Sequence, residues 1–183
     1  MSRAGDSTPD PSSASGAVGG LAPDFDLTST EGVVLMLRDE VVRTAVVLYF
    51  FAAAGERELG DLDTLNRQLA EVRRRTARIL AVSPLPLATL QAIQRERRLL
   101  FPLLHDDRGF SAAYGVAPDA DGTPAPPALA LVDRRQILRL LANPVASVAE
   151  TLAQIDEALK KLPSPIDGYP KSVINKLIDR WVN

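Results

Sequence analysis

The chain has 183 residues, 46% hydrophobic and 24% charged, with a formal net charge of −2. That balance fits one globular core and gives no electrostatic reason to expect nucleic acid or anionic lipid as a partner. With no cysteine and a single histidine, His105, the chain itself can supply no disulfide, thiolate metal site, thiol redox chemistry, histidine metal cluster or histidine relay.

Residues 1–20 are rich in Ser, Gly, Ala, Pro and Asp. They carry too little apolar surface to offset their ordering entropy, so the composition predicts a disordered tail. They also lack the apolar middle of a secretory signal. No apolar run in the chain approaches the roughly 18 residues of a membrane-spanning helix, and the cytoplasm is the expected address. An ordered domain is expected over residues 21–162. It begins with Ala22 to Phe25, followed by short strands around Leu27 and over Val33 to Leu37, joined by a Gly-containing turn.

Ala45 to Phe51 is a continuous apolar, β-rich run, as in a central strand covered on both faces. After Ala52-Ala53-Ala54-Gly55, Leu59, Leu62, Leu65, Leu69 and Val72 recur at helical spacing, and Arg73-Arg74-Arg75 suits a helix C-terminus. Ile79 to Val82 is the next strand, and Leu87 to Arg98 a second helix with Leu87, Leu90, Ile93 and Gln94 inward. Phe101 to Leu104 is a brief apolar piece, His105 to Gly109 a turn, and Phe110 to Tyr114 a short helix ended by Gly115. Beyond the Pro-rich loop from Ala117 to Pro127, Leu129 to Val132 and Gln136 to Leu141 flank Asp133-Arg134-Arg135 as an antiparallel pair. Ser147 to Leu162 closes the domain as a helix. This order of elements predicts an α/β thioredoxin-like fold, a central mixed sheet flanked by helices.

Several separate stretches, APDF, VVLYFF, ILAVSP, FPLLHDDRG followed by AAYGV, and ALALVDRRQIL, resemble the peroxiredoxin family of AhpC/TSA and bacterioferritin-comigratory-protein type. The resemblance covers about Ala22 to Leu162. It implies a strand–turn–helix carrying P-x-x-x-T-P-x-C, where the cysteine is the peroxidatic nucleophile, the threonine orients the peroxide and a later arginine favours the thiolate. Laid onto this chain, the motif's proline falls on Ala52, its threonine on Glu56, its second proline on Arg57 and its cysteine on Leu59, while the arginine falls on Pro127. Every chemical member of the motif is missing, and a leucine at the nucleophile position is expected to fill the old pocket. In the thioredoxin branch the position of Pro127 is a cis-proline, which puts a cis Pro126–Pro127 bond ahead of a trans one.

No catalytic residue, metal ligand or cofactor is therefore assigned. Glu56 and Glu58 are read as carboxylates that favour a helix start, and His105 as an exposed turn residue. Arg73, Arg74, Arg75 and Arg78, with Arg95, Arg97 and Arg98, are read as solvated helix ends, since no aromatics are interleaved for nucleic acid. Residues 163–183 are expected to provide a Pro-rich linker and then, over Lys171 to Asn183, a short amphipathic helix. Val173, Ile174, Leu177, Ile178, Trp181 and Val182 fill one half of its wheel, opposite Asn175, Lys176, Asp179, Arg180 and Asn183. So short a helix is marginal alone and needs something to pack on: its own domain first, then a homodimer mate or another protein, with a membrane surface third. The resulting expectation is a cysteine-free pseudo-peroxiredoxin acting as a protein-binding or structural subunit. The alternative is a redoxin-domain oxidoreductase working without a thiol.

Overall fold

The computed structural model describes residues 16–162. Seven strands, β1 (Asp26–Ser29), β2 (Val34–Met36), β3 (Ala45–Phe50), β4 (Ala77–Ser83), β5 (Leu103–His105), β6 (Ala128–Val132) and β7 (Leu138–Ala142), form one mixed sheet. Its order is β2-β1-β5-β4-β3-β6-β7. Strands β3, β4 and β5 run parallel, while β6 is antiparallel to β3, β7 to β6, and β1 to both β5 and β2. Four helices, α1 (Leu37–Arg43), α2 (Glu56–Arg74), α3 (Leu87–Glu96) and α4 (Val148–Lys160), connect and cover the strands.

The period of two along a strand divides the core. From β3, Ala45, Val47 and Tyr49 join one apolar cluster with Leu62, Leu65, Leu90 and Ile155 of the helices. The alternate residues Val46, Leu48 and Phe50 join a second cluster with Phe25, Leu37, Val41 and Tyr114. Strand β6 splits in the same way, Leu129 and Leu131 to the first cluster and Ala128, Ala130 and Val132 to the second. Every residue of β3 is therefore buried, and each large apolar side chain there contributes about 1.5–3 kcal/mol relative to exposure. The expected central strand is central.

Helix α2 buries Leu62, Leu65, Leu69 and Val72 at the expected spacing, and Arg73 and Arg74 lie in its last turn. In α3, Leu90 and Ile93 are buried, and the Gln94 side chain donates to the Phe101 carbonyl at 3.2 Å. Helix α4 begins at the N-cap Ser147, whose hydroxyl accepts from the Glu150 amide at 3.3 Å.

Four expectations are corrected. Residues 16–20 are ordered against the domain: the Gly19 amide donates to the Leu138 carbonyl, and the Leu138 amide to the Gly20 carbonyl. These backbone bonds replace the side-chain burial that the segment lacks. Leu37 starts α1 instead of ending a strand, because Leu37 and Val41, one turn apart, are both buried. His105 ends β5 opposite Ser83 and Thr28 and is half-buried instead of lying in an exposed turn. Finally, among the described residues the cis bond is Asn143–Pro144, and Pro126–Pro127 is trans. Pro127 simply leads into β6 as extended chain. Residues 1–15 of the expected tail and the expected linker and helix of residues 163–183 lie outside the described residues.

Candidate functional site at the turn after the central strand

In open α/β sheets, ligands bind beyond the carboxyl ends of the central strands. Here β3 ends at Phe50, Phe51 is buried, and residues 52–55 turn the chain into α2, with Gly55 as an extended N-cap. Glu56 is exposed as the first residue of α2, and Glu58 is half-buried in the same first turn. The two carboxylates sit where the unpaired amides of a helix start favour negative charge.

A cavity of about 90 Å³ lies beside this turn, lined among others by Phe51, Ala52, Pro84, Asp106, Val116 and Ala125. Its one buried carboxylate is already engaged. Asp106 accepts from the Phe110 amide at 2.7 Å, the Ser111 amide at 2.8 Å and the Ser111 hydroxyl at 2.6 Å. It thus anchors the short 3-10 helix Phe110–Tyr114, which is bounded by Gly109 and Gly115 in the left-handed region at φ 71° and 72°. Those requirements account for the DDRG and YG parts of the sequence. With both oxygens committed, the carboxylate is not available as a general base.

The five motif positions do not converge on this cavity. Ala52 lines it, and Glu56 points to solvent. Leu59 is half-buried and packs on the cluster that holds Leu62 and Tyr49. It is not among the residues lining the cavity and packs on the core beside it. Three residues from Leu62 on α2, it shares that leucine's face of the helix. Arg57 reaches sideways instead, its guanidinium donating to the Val145 carbonyl at 2.5 Å. The Val145 amide in turn donates to the carbonyl of the buried Pro127 at 2.8 Å. The positions of the motif's second proline and of its arginine are thereby joined through backbone contacts at Val145.

One polar pair was not anticipated from the sequence. The Tyr49 hydroxyl, deep under α2, donates to Asp61 Oδ2 at 2.9 Å. Burial, reinforced by the Asp61 charge, pushes the tyrosine far above its ordinary range. Asp61 is itself raised, chiefly by desolvation, against the lowering effects of the Tyr49 hydrogen bond and of Arg57. A tyrosine in an otherwise apolar strand was the available signal, since a buried phenol needs an acceptor.

The arginine clusters are mostly occupied. Arg75 pairs with Asp156 at 2.6 Å, Arg97 with Asp63 at 2.9 Å, Arg78 with Glu40, and Arg74 with Glu71. Arg73 donates to the Leu100 carbonyl. Among the described residues no helix is long and apolar enough to cross a membrane. The expected contact residues Val173, Ile174, Leu177, Ile178, Trp181 and Val182 lie outside the described residues.

Residues 18–141 match the AhpC/TSA family. The chain belongs to that family. No curated protein matches it in sequence. Among solved structures it is similar to the peroxidoxin BcpB of Mycobacterium tuberculosis, at 20% identity and a TM-score of 0.74, over 80% of this chain and 98% of that one. It is also similar to the bacterioferritin comigratory protein of Xanthomonas campestris, described with alkyl peroxide reduction activity, at 21% identity and a TM-score of 0.66, over 74% and 90% of the two chains. A reduced 2-Cys peroxiredoxin of Plasmodium vivax follows at 20% identity and a TM-score of 0.67, over 78% and 96%. These likenesses establish the thioredoxin-like α/β fold of a peroxiredoxin-family domain, here in a chain without cysteine.

Proposed function

We propose that this family member has lost thiol peroxidase activity and serves as a non-catalytic protein-binding or structural subunit, working in the cytoplasm. The observation that carries the reading is Leu59. In a chain with no cysteine, the nucleophile position holds an aliphatic side chain packed on the core. Peroxide reduction by this family's chemistry needs a thiolate to attack the peroxide oxygen, and neither a thiol nor a hydroxyl stands there. The supporting positions agree, with Glu56 for the threonine and Pro127 for the arginine. In place of an arginine that would draw negative charge into the site, the turn carries two glutamates.

The test is peroxide consumption by the purified full chain, with hydrogen peroxide and an alkyl hydroperoxide, beside a Leu59→Arg variant. No turnover above that variant is expected. Turnover above it would overturn the reading and favour the non-thiol oxidoreductase. The binding half rests on the amphipathic pattern of residues 171–183. It is tested by comparing the full chain with one ending at Pro165 for oligomeric mass, melting temperature and co-purifying proteins. If all three are unchanged, the segment has no docking role.

A further inference from the structure

The largest of the described cavities, about 300 Å³, lies far from the β3–α2 turn, in a trough between α2 and α4. Its floor is apolar: Val72 from α2, and Leu152, Ile155 and Leu159 from α4. Ala149 and Ala153, one turn apart on α4, are exposed and leave the trough unfilled, because a methyl group is all they offer. Glu71, Arg75 and Asp156 form the rim, with Arg75 and Asp156 paired across it. A cleft of this kind calls for an apolar insert with polar edges.

We infer that the chain's own residues 173–182 occupy this trough as an amphipathic helix. Three observations favour that occupant. The trough follows α4 from Ala149 to Leu159, roughly 15 Å at 1.5 Å per residue. A helix over residues 173–182 has the same length by the same rise. The described chain ends at Leu162, just past the end of α4 and three residues beyond the last floor residue. Residues 163–172 then provide up to about 33 Å of reach, against the two to five residues that suffice to turn one helix back along another. A tethered segment also sits at a high effective concentration, in the millimolar range for short flexible links. Finally, the chemistry matches. Val173, Ile174, Leu177, Ile178, Trp181 and Val182 offer bulk to a trough that Ala149 and Ala153 leave unfilled, and Asn175, Lys176, Asp179, Arg180 and Asn183 on the opposite half of the wheel would face solvent.

This inference rests on reading residues 171–183 as a docking element, and it is independent of whether peroxidase activity is lost. The chain reports on it directly, because Trp181 is its one tryptophan. In the full-length protein we expect blue-shifted tryptophan emission, weak quenching by acrylamide, a monomeric mass by light scattering and no change on dilution. Ala153→Arg places a long charged side chain in the trough from an exposed position. It should shift the emission to the red and raise quenching several-fold. Ala88→Arg, on the exposed flank of α3, should change neither. Far-UV circular dichroism checks that both variants fold, and Ala149→Glu serves as a second obstruction should Ala153→Arg fail to fold. Solvent-exposed emission in the unmodified chain would overturn the inference, as would emission unaffected by either obstruction. A blue shift that fades on dilution together with a dimeric mass would assign the trough to a second copy and overturn it equally.

Discussion

Arg57, standing where the family motif has a proline, donates its guanidinium to the carbonyl of Val145 at 2.5 Å. The contact ties the first turn of α2 to the segment that leads into α4, 88 residues later in the chain. Since Val145 is also held by the Pro127 carbonyl, one backbone unit fastens both sides of the former catalytic region. The Arg57 side chain is largely exposed, so Arg57→Ala should lower stability by only about 0.5–1.5 kcal/mol. Urea denaturation measures this. An unchanged midpoint would mean that water replaces the contact without loss.

Asp61 makes stability depend on pH in the less common direction. Desolvation raises its folded pKa above the ordinary 3.8, so the folded chain binds the proton more tightly than the unfolded one. This group's contribution is therefore most favourable below 3.8. It is lost as pH rises through the raised folded value and is constant above it. Asp61→Asn keeps an acceptor for Tyr49 and removes the desolvated charge. It should abolish that slope and leave stability at neutral pH equal or higher. Asp61→Ala strands the buried phenol and should cost about 1–3 kcal/mol. Thermal melts of the three proteins from pH 3 to pH 8 distinguish these outcomes.

Asp106 is the polar keystone of the segment between β5 and β6. Its three accepted bonds, two from backbone amides, are of the charge-assisted kind. Asp106→Ala should destabilise by roughly 2–4 kcal/mol, and Asp106→Asn, which keeps the shape but weakens the acceptors, by about half as much. Hydrogen exchange should show the loss first at the Phe110 and Ser111 amides. Exchange there that matches the unmodified chain would count against the assignment.

Replacing Leu59 by cysteine returns a thiol without returning its activation. The helix start favours the thiolate, but Glu56 and Glu58 in the same turn oppose it, and half-burial opposes it further. The thiol pKa of Leu59→Cys is expected at or above about 8.5, read from the pH dependence of alkylation. Peroxide consumption should not exceed that of a free thiol. A markedly lower pKa would show that the turn retains the electrostatics of a peroxidase.

Most of the architecture was legible because it rests on periodicity. VVLYFF could only be a strand covered on both faces, and the leucines from 59 to 69 could only be one side of a helix. Helix α1 escaped because seven residues with two buried positions give too short a pattern, and its N-cap Met36 makes no side-chain capping bond. His105 was misjudged because β5 is only three residues long, so its end depended on pairing with β1 and β4, which no local pattern reveals. At the site, the missing cysteine was plain, whereas the fate of its replacements was not. The Arg57 and Tyr49 contacts join residues 88 and 12 positions apart, and such separations are set by tertiary packing alone.

The strand of backbone at residues 16–22 has a consequence for how the molecule behaves among copies of itself. By pairing with Leu138, and by the Leu21–Ile137 bridge and the Ala22–Gln136 bond, it occupies the amide and carbonyl that the start of an outer strand would otherwise present to a neighbour. Unpaired strand edges recruit strands from other chains. At the opposite end of the sheet the outer strand, β2, has only three residues. A chain trimmed before Ala22 would present a fresh adhesive edge, and its first defect would be self-association while its fold remained intact.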